Sequence, residues 1–205
     1  MPDRARKAGD IQLLRQTIRE ALALPRDGYV IGTVARLHWQ KGVDRLLQAF
    51  HSLCHHRNNL YLLIVGDGPD RAALEKQAER LRVAEHCVFT GNRPNTQYLY
   101  ALMDLFVLPS RWEGLPLTIL EAWNAGTPVI ATDVSGSRDL IQHGINGYLA
   151  DDSAEGIASA IQRALQSTPE LPEIVQNARR TLSQRFSLPR MVSQTEAVYQ
   201  AVWDT

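Results

Sequence analysis

Along the chain, short apolar runs alternate with longer segments whose apolar residues return every three or four positions. The short runs are Tyr29–Val34, Leu60–Val65, Cys87–Thr90, Leu105–Leu108, Pro128–Thr132 and Gly147–Leu149. Gly, Pro, Asn or Asp clusters bound most of them, and they predict strands. The periodic segments predict helices over Val43–Cys54, with Leu46, Leu47 and Phe50 inward, over Ala72–Leu81, and over Asn95–Met103. Further helices are expected between Pro116 and Gly126, over Gly136–Gln142, and from a Ser153 cap to Gln166. After the break at Thr168-Pro-Glu-Leu-Pro172, Glu173–Arg185 and Pro189–Trp203 read as two more helices. At the other end, Ile11, Leu14, Ile18 and Leu22 recur at helical spacing, which predicts a helical arm over residues 1–28. Strands alternating with helices imply βαβ units with right-handed crossovers. The expected fold is therefore α/β: a Rossmann-like three-layer domain over residues 29–168, with a parallel sheet of about six strands and a helical tail over 169–205. Ligands of such sheets bind beyond the carboxyl ends of the strands, where Arg36, Lys41, Gly91 and Glu113 would share one rim.

The segment Arg111–Gly126 organises the chain chemically. Pro116 suits a first helical turn, Gly126 suits the position just past the end, and Pro128 blocks continuation. Leu117, Ile119, Leu120, Ala122, Trp123 and Ala125 make this helix apolar nearly all round, so it is expected to be buried. Glu121 then reads as a buried carboxylate that needs donors or a positive charge. Glu113, eight residues earlier in the preceding loop, reads as the more open of the two acids. The free N–H groups of the helix start form an anion site between them. Two acids beside a phosphate pocket fit a ligand carrying both phosphate and hydroxyl groups, and a nucleotide-sugar is one.

Composition narrows the classes. Of 205 residues, 22 are Lys or Arg and 22 are Asp or Glu, for a net charge of zero. That balance argues against nucleic acid as a partner and leaves at most peripheral membrane contact. No apolar run reaches a membrane span, and the first residues do not read as a signal peptide. Two cysteines, Cys54 and Cys87, are too few for a disulfide framework and read as reduced thiols, so a cytoplasmic location is expected.

Candidate groups each carry two readings. Arg36 and Lys41, beside Gly42, are either a diphosphate clamp or an exposed basic pair. Glu121 either accepts from ribose hydroxyls or is a structural acid, and Glu113 either meets sugar hydroxyls or only favours a helix dipole. Gly66-Asp67-Gly68-Pro69 is either a ligand-approach turn or a plain one. The loop after the first strand lacks Gly-x-Gly-x-x-Gly, which weakens a nicotinamide-dehydrogenase reading. His51, Cys54, His55 and His56 lack a second ligand cluster, so no metal site is expected.

Taken in order, these motifs resemble the donor-binding, C-terminal half of retaining GT-B glycosyltransferases, in particular family 4, the group-1 glycosyltransferases. The resemblance is carried by Arg36-Leu-His-Trp-Gln-Lys41-Gly42, Gly66-Asp-Gly-Pro69 and Val88-Phe-Thr-Gly91. It continues through Asp104-Leu-Phe-Val-Leu-Pro-Ser110 with Glu113 and Glu121 at Glu-x7-Glu spacing, then Pro128–Asp133 with Gly136, and Gly144 with Gly147. It implies that Arg36 and Lys41 contact the donor diphosphate and that Glu121 holds the ribose diol. By the same resemblance Glu113 sits by the donor sugar, and Gly91, Asn92 and Arg93 lie beside the base. Gly114, Leu115 and Leu117 would offer the helix N-terminus to sugar and phosphates. No cofactor or metal is implied beyond the UDP- or GDP-sugar itself. The implied reaction transfers a hexosyl unit, with retention, to a glycan or lipid-linked acceptor in cell-surface polysaccharide biosynthesis, with the chain in the cytoplasm or at the inner face of the membrane. Ala35 stands where the family usually has glycine, and Ser135–Asp139 replaces a more usual Gly-Gly…Glu stretch. The family's acceptor-binding N-terminal domain has no counterpart in the first 28 residues, so a separate domain or partner chain is expected to supply it. The competing expectations are a non-catalytic donor-binding or scaffolding subunit and a GT-B-like sugar-nucleotide epimerase.

Overall fold

In a computed structural model of the chain, the described residues are 13, 15–55, 57–167 and 169–203. Ile11 and Leu14 of the expected arm, and His56 of the histidine cluster, lie outside them. Six strands, β1 (Tyr29–Val34), β2 (Leu60–Val65), β3 (Cys87–Phe89), β4 (Leu105–Leu108), β5 (Val129–Thr132) and β6 (Tyr148–Ala150), form one sheet. The order is β3-β2-β1-β4-β5-β6 and every pair is parallel. The strand order reverses direction between β1 and β4, which makes the crevice beyond their carboxyl ends the expected place for a ligand.

Alternate residues of each strand feed two cores. Ile31, Leu62, Ile64, Leu105, Val107 and Ile130 face one side. There they meet α2 (Val43–Cys54), α3 (Arg71–Arg80) and α7 (Ala154–Gln166). Val30, Leu63, Val65, Phe106, Leu108, Val129 and Ala131 face the other side. That core includes residues of α4 (Gln97–Tyr100), α5 (Leu117–Ala125) and α8 (Leu171–Arg185). The helices α1 (residues 15–21), α6 (Ser135–Arg138) and α9 (Leu188–Trp203) complete the set described. The result is the three-layer parallel architecture expected, with a helical C-terminal tail.

Three expectations need correction. The helix expected over Asn95–Met103 is one turn, Gln97–Tyr100. Asn95 takes φ +58°, a left-handed conformation that keeps the helix from starting there. The helix after Pro116 begins at Leu117, with Pro116 as its N-cap at ψ 93°. Nor is it buried all round: Ile119, Ala122 and Trp123 are buried, but Leu117 is 60% exposed.

The arm is tied down by charge. The buried Arg19 donates to the carbonyls of Gly28 (2.9 Å) and Leu102 (2.9 Å) and pairs with Asp104 (2.8 Å), whose Oδ2 also accepts from Val30 N. This links α1 to the amino ends of β1 and β4. In α8, Ile174 and Ala178 are buried, whereas none of the residues of α9 is. Among the described residues no helix is long and apolar enough to cross a membrane.

Candidate functional site

The loop after β1 and the loop after β4 meet at the sheet's carboxyl rim. Gly42, at φ +65°, lets them close: a Cβ there would lie 1.9 Å from the Pro109 carbonyl oxygen. Arg111 N donates to Gln40 O (2.8 Å), and Gln40 Nε2 donates to Trp112 O (3.1 Å). This lacing brings Lys41 Nζ to 2.7 Å from Glu113 Oε1. Ser110 Oγ donates to the same oxygen at 2.6 Å. Ser110 is fully buried, and its own carbonyl accepts from Thr132 Oγ1.

The expected roles of burial are therefore exchanged. Glu113, read as the open acid, has a side chain only 7% exposed and is the carboxylate that receives an ammonium and a hydroxyl. Glu121, read as buried, is exposed, because its position on α5 looks away from the sheet. It is oriented from below by Tyr100 Oη, which donates to Glu121 Oε2 at 2.7 Å. Burial, and then this bond to a carboxylate, push the Tyr100 phenol far up, so it stays a donor. Tyr100 carries no motif signal, whereas Ser110 lay within the Pro-Ser stretch before Glu113.

The remaining candidates are distributed over three hollows. Arg36, Asn92 and Arg93 line one of about 620 Å³ at the carboxyl ends of β1 and β2, together with Gly66, Asp67 and Thr118. Gly91 forms its edge: it is buried at φ +69°, and its carbonyl accepts from Gly66 N at 3.0 Å. Thr96 belongs both to this hollow and to a smaller one of about 280 Å³ that holds Glu121 and Asn124. Glu121 thus stands next to the space bounded by the basic residues. Asp67 is held below the usual carboxylate range by Gly68 N–H and then by Arg71. Thr118 lies in the first turn of α5, whose N-terminus has no side-chain cap and presents its N–H groups to this rim.

Gly114 is exposed, and its carbonyl lies 2.2 Å from where a Cβ on Gly136 would be, so α6 backs this loop closely. Leu115 and Leu117 are placed differently from the other candidates. With Leu120, Phe186, Met191 and Val198 they line a third, apolar hollow of about 660 Å³ between α5 and α9. Their side chains thus face the C-terminal helix. A fourth hollow, of about 330 Å³ at the sheet's opposite end, is lined by Arg15, Arg19 and Asp104, where both arginines pair with the one carboxylate. Among the described residues no three His, Cys, Asp or Glu gather to hold a metal; His51 and His55 only approach each other, Nε2 to Nε2 at 3.3 Å.

An anion-accepting helix start, an arginine and a lysine beside it, and two carboxylates suit a ligand with phosphates and hydroxyls. The chain is similar to known glycosyltransferases. An uncharacterized glycosyltransferase of Methanocaldococcus jannaschii is 32% identical over 185 residues, covering 89% of this chain and 47% of the relative. The lipopolysaccharide core biosynthesis glycosyltransferase LpsE of Rhizobium meliloti is 33% identical over 170 residues, 82% of this chain and 49% of the relative. The chain thus spans about half the length of these curated relatives. Among solved structures, Anabaena HepE in complex with UDP-glucose superposes with a TM-score of 0.84 at 27% identity, covering 92% of this chain and 52% of that one. The C-terminal domain of the Francisella tularensis group-1 protein LpcC shares the fold, with a TM-score of 0.74 at 23% identity, over 85% of this chain and 93% of that domain. Residues 15–181 match the family described as glycosyl transferases group 1, and the chain belongs to that family.

Proposed function

We propose that this chain is the donor-binding half of a retaining family-4 glycosyltransferase. It would transfer a hexosyl unit from a UDP- or GDP-sugar to a glycan or lipid-linked acceptor in cell-surface polysaccharide assembly. The observation that carries the reading is the Lys41–Glu113–Ser110 cluster set beside the uncapped start of α5 and the hollow holding Arg36. Likeness to a chain bound to UDP-glucose supports UDP as the first nucleotide to try.

In this reading the diphosphate lies across the α5 N-terminus, with Arg36 and Lys41 countering the charge that grows on it as the glycosidic bond breaks. Glu113 accepts Lys41 and Ser110 on Oε1, which leaves Oε2 for a sugar hydroxyl next to the reacting carbon. Glu121, aimed by Tyr100, accepts from the ribose diol. Gly91, Asn92 and Arg93 lie along the base. Transfer also needs an acceptor held in place and water excluded, so the chain alone is expected to bind nucleotide and transfer poorly.

Calorimetric titration with UDP, GDP and ADP tests the reading, with Glu121→Ala as control. Saturable binding of one nucleotide, lost in the variant, supports it; a folded chain that binds none overturns it. A subunit that works by recruiting another chain is favoured by one observation. Val198, Tyr199, Val202 and Trp203 of α9 are all more than half exposed, Trp203 at 88%.

A further inference from the structure

Trp39 and Trp112 lie on the two loops that carry Lys41 and Glu113, yet neither is absorbed by the donor site. Both indoles are largely in solvent, 55% and 48% exposed. Their rings meet at 64° with centroids 5.1 Å apart, which makes an open, angled corner. The corner is fixed. Arg111 lies over the Trp39 ring at 4.8 Å, donates to the Trp39 carbonyl at 2.5 Å, and forks onto both carboxylate oxygens of Asp44 at 2.8 and 2.7 Å. Gln40 ties down the Trp112 backbone. Exposed tryptophans held by such a scaffold lose little conformational entropy when something stacks on them.

We propose that Trp39 and Trp112 form a stacking platform for one pyranose ring of a glycan acceptor, at the lip of the donor site. The proposal rests on the reading of that site as a donor pocket. Three features select this occupant. A pyranose has an apolar face of C–H groups ringed by hydroxyls, and the corner is two indoles bordered by Arg111, Asp44 and Gln40, so the match is a ring-sized apolar surface inside a polar border. A protein partner would seek a wider apolar surface, which this chain carries elsewhere, on α9. Finally, Trp112 adjoins Glu113 in sequence and Trp39 is two residues from Lys41, so the corner stands on the same two loops as the Lys41–Glu113 pair, and Trp39 also borders a hollow between α2 and α3.

The test is saturation-transfer NMR with the methyl α-glycosides of glucose, galactose and mannose, using the purified chain, Trp39→Ala, Trp112→Ala and Trp112→Phe. Circular dichroism and a UDP titration accompany each protein. The expected result is transfer to the ring C–H protons of at least one glycoside, persisting when the chain is saturated with UDP. Either alanine variant should lower the glycoside affinity about tenfold, while Trp112→Phe keeps most of it. UDP affinity should be the same in all four proteins. Absence of transfer to every glycoside overturns the platform, as does transfer that survives both alanine substitutions. So does transfer abolished by UDP, because that places the sugar in the donor pocket. If UDP fails to bind but the tryptophan-dependent signal remains, the donor reading fails and the glycan platform stands.

Discussion

Lys41 Nζ and Glu113 Oε1 are 2.7 Å apart across two loops separated by 72 residues. The carboxylate is almost out of solvent, and the lysine is one of its two donors. Lys41→Ala should therefore cost about 1–3 kcal/mol in urea unfolding, since it strands a buried charge. Adding Glu113→Gln should recover much of that stability by removing the charge. It should not recover nucleotide binding, which the single Lys41→Ala already weakens. If the double variant regained both, the pair would be structural only.

Glu121 and Tyr100 separate in the same manner. Glu121→Ala should cost about 1 kcal/mol of stability, because it takes the acceptor from the buried Tyr100 hydroxyl, while lowering UDP affinity by about tenfold or more. It should also erase any preference of the chain for UDP over 2′,3′-dideoxy-UDP, as the carboxylate would act on the diol. Tyr100→Phe should retain the charge but lose its orientation, giving a smaller loss of affinity and about 1 kcal/mol of stability. Equal discrimination of the two nucleotides by wild type and Glu121→Ala would remove the ribose role.

Why the fold was legible and the burial of the acids was not follows from what each depends on. Strand runs such as Leu60–Val65 are apolar on both faces because helices cover both, so composition alone marks them. The register of Glu113 and Glu121 against solvent depends on contacts distant in sequence. Ser110 and Lys41 close over Glu113 only because Gly42 admits the Pro109 carbonyl, and no local pattern encodes that approach. Glu121 sits in an apolar stretch, but Leu117 beside it looks toward the hollow at α9, and Leu120 is shared between that hollow and the edge of the core. An apolar sequence neighbourhood was thus read as burial where it marks a groove. The helix expected over Asn95–Met103 shortens to α4 for a local reason, the left-handed Asn95.

Asp44 supplies a pH signature. Burial alone would raise its pKa, but the Arg111 fork outweighs that and leaves it below the ordinary 3.8. A depressed folded-state pKa means stability that is present above the unfolded value and lost as pH falls through the folded one. Asp44→Asn should therefore cost about 1 kcal/mol near neutral pH, and the cost should fall away as pH drops below 3.8 and through the lower folded-state value. Urea midpoints of the two proteins from pH 7 to pH 2 check this; parallel curves would show that Asp44 contributes no linkage.

The two cysteines should be slow to react. Burial pushes the Cys54 thiol up to about 11, and burial, then the nearby Cys54, push Cys87 up to about 12. At pH 8 the thiolate fraction of each is therefore small, about 0.1% or less. Labelling with a disulfide reagent should be much slower in the native chain than in urea. Equal rates would mean that this face of the sheet opens freely.

Gly42 joins stability to the site. Alanine there meets two costs: a left-handed backbone at φ +65°, and a Cβ that would lie 1.9 Å from the Pro109 carbonyl oxygen. The first costs about 1 kcal/mol. The second cannot be absorbed by a side-chain rotation, since the obstacle is backbone, so the loop holding Lys41 must move away from the one holding Glu113. Gly42→Ala should then lower the unfolding free energy by about 2 kcal/mol or more and reduce UDP affinity at a temperature where the variant is fully folded. The affinity loss is the discriminating part, because simple destabilisation of a folded population leaves binding constants unchanged. Gly144 provides the comparison: it also has a positive φ, +75°, but nothing lies within 4 Å of a Cβ placed there. Gly144→Ala should show the backbone cost alone, with UDP affinity intact. A loss of binding in both variants would mean that the approach of the two loops at Gly42 is not what positions Lys41.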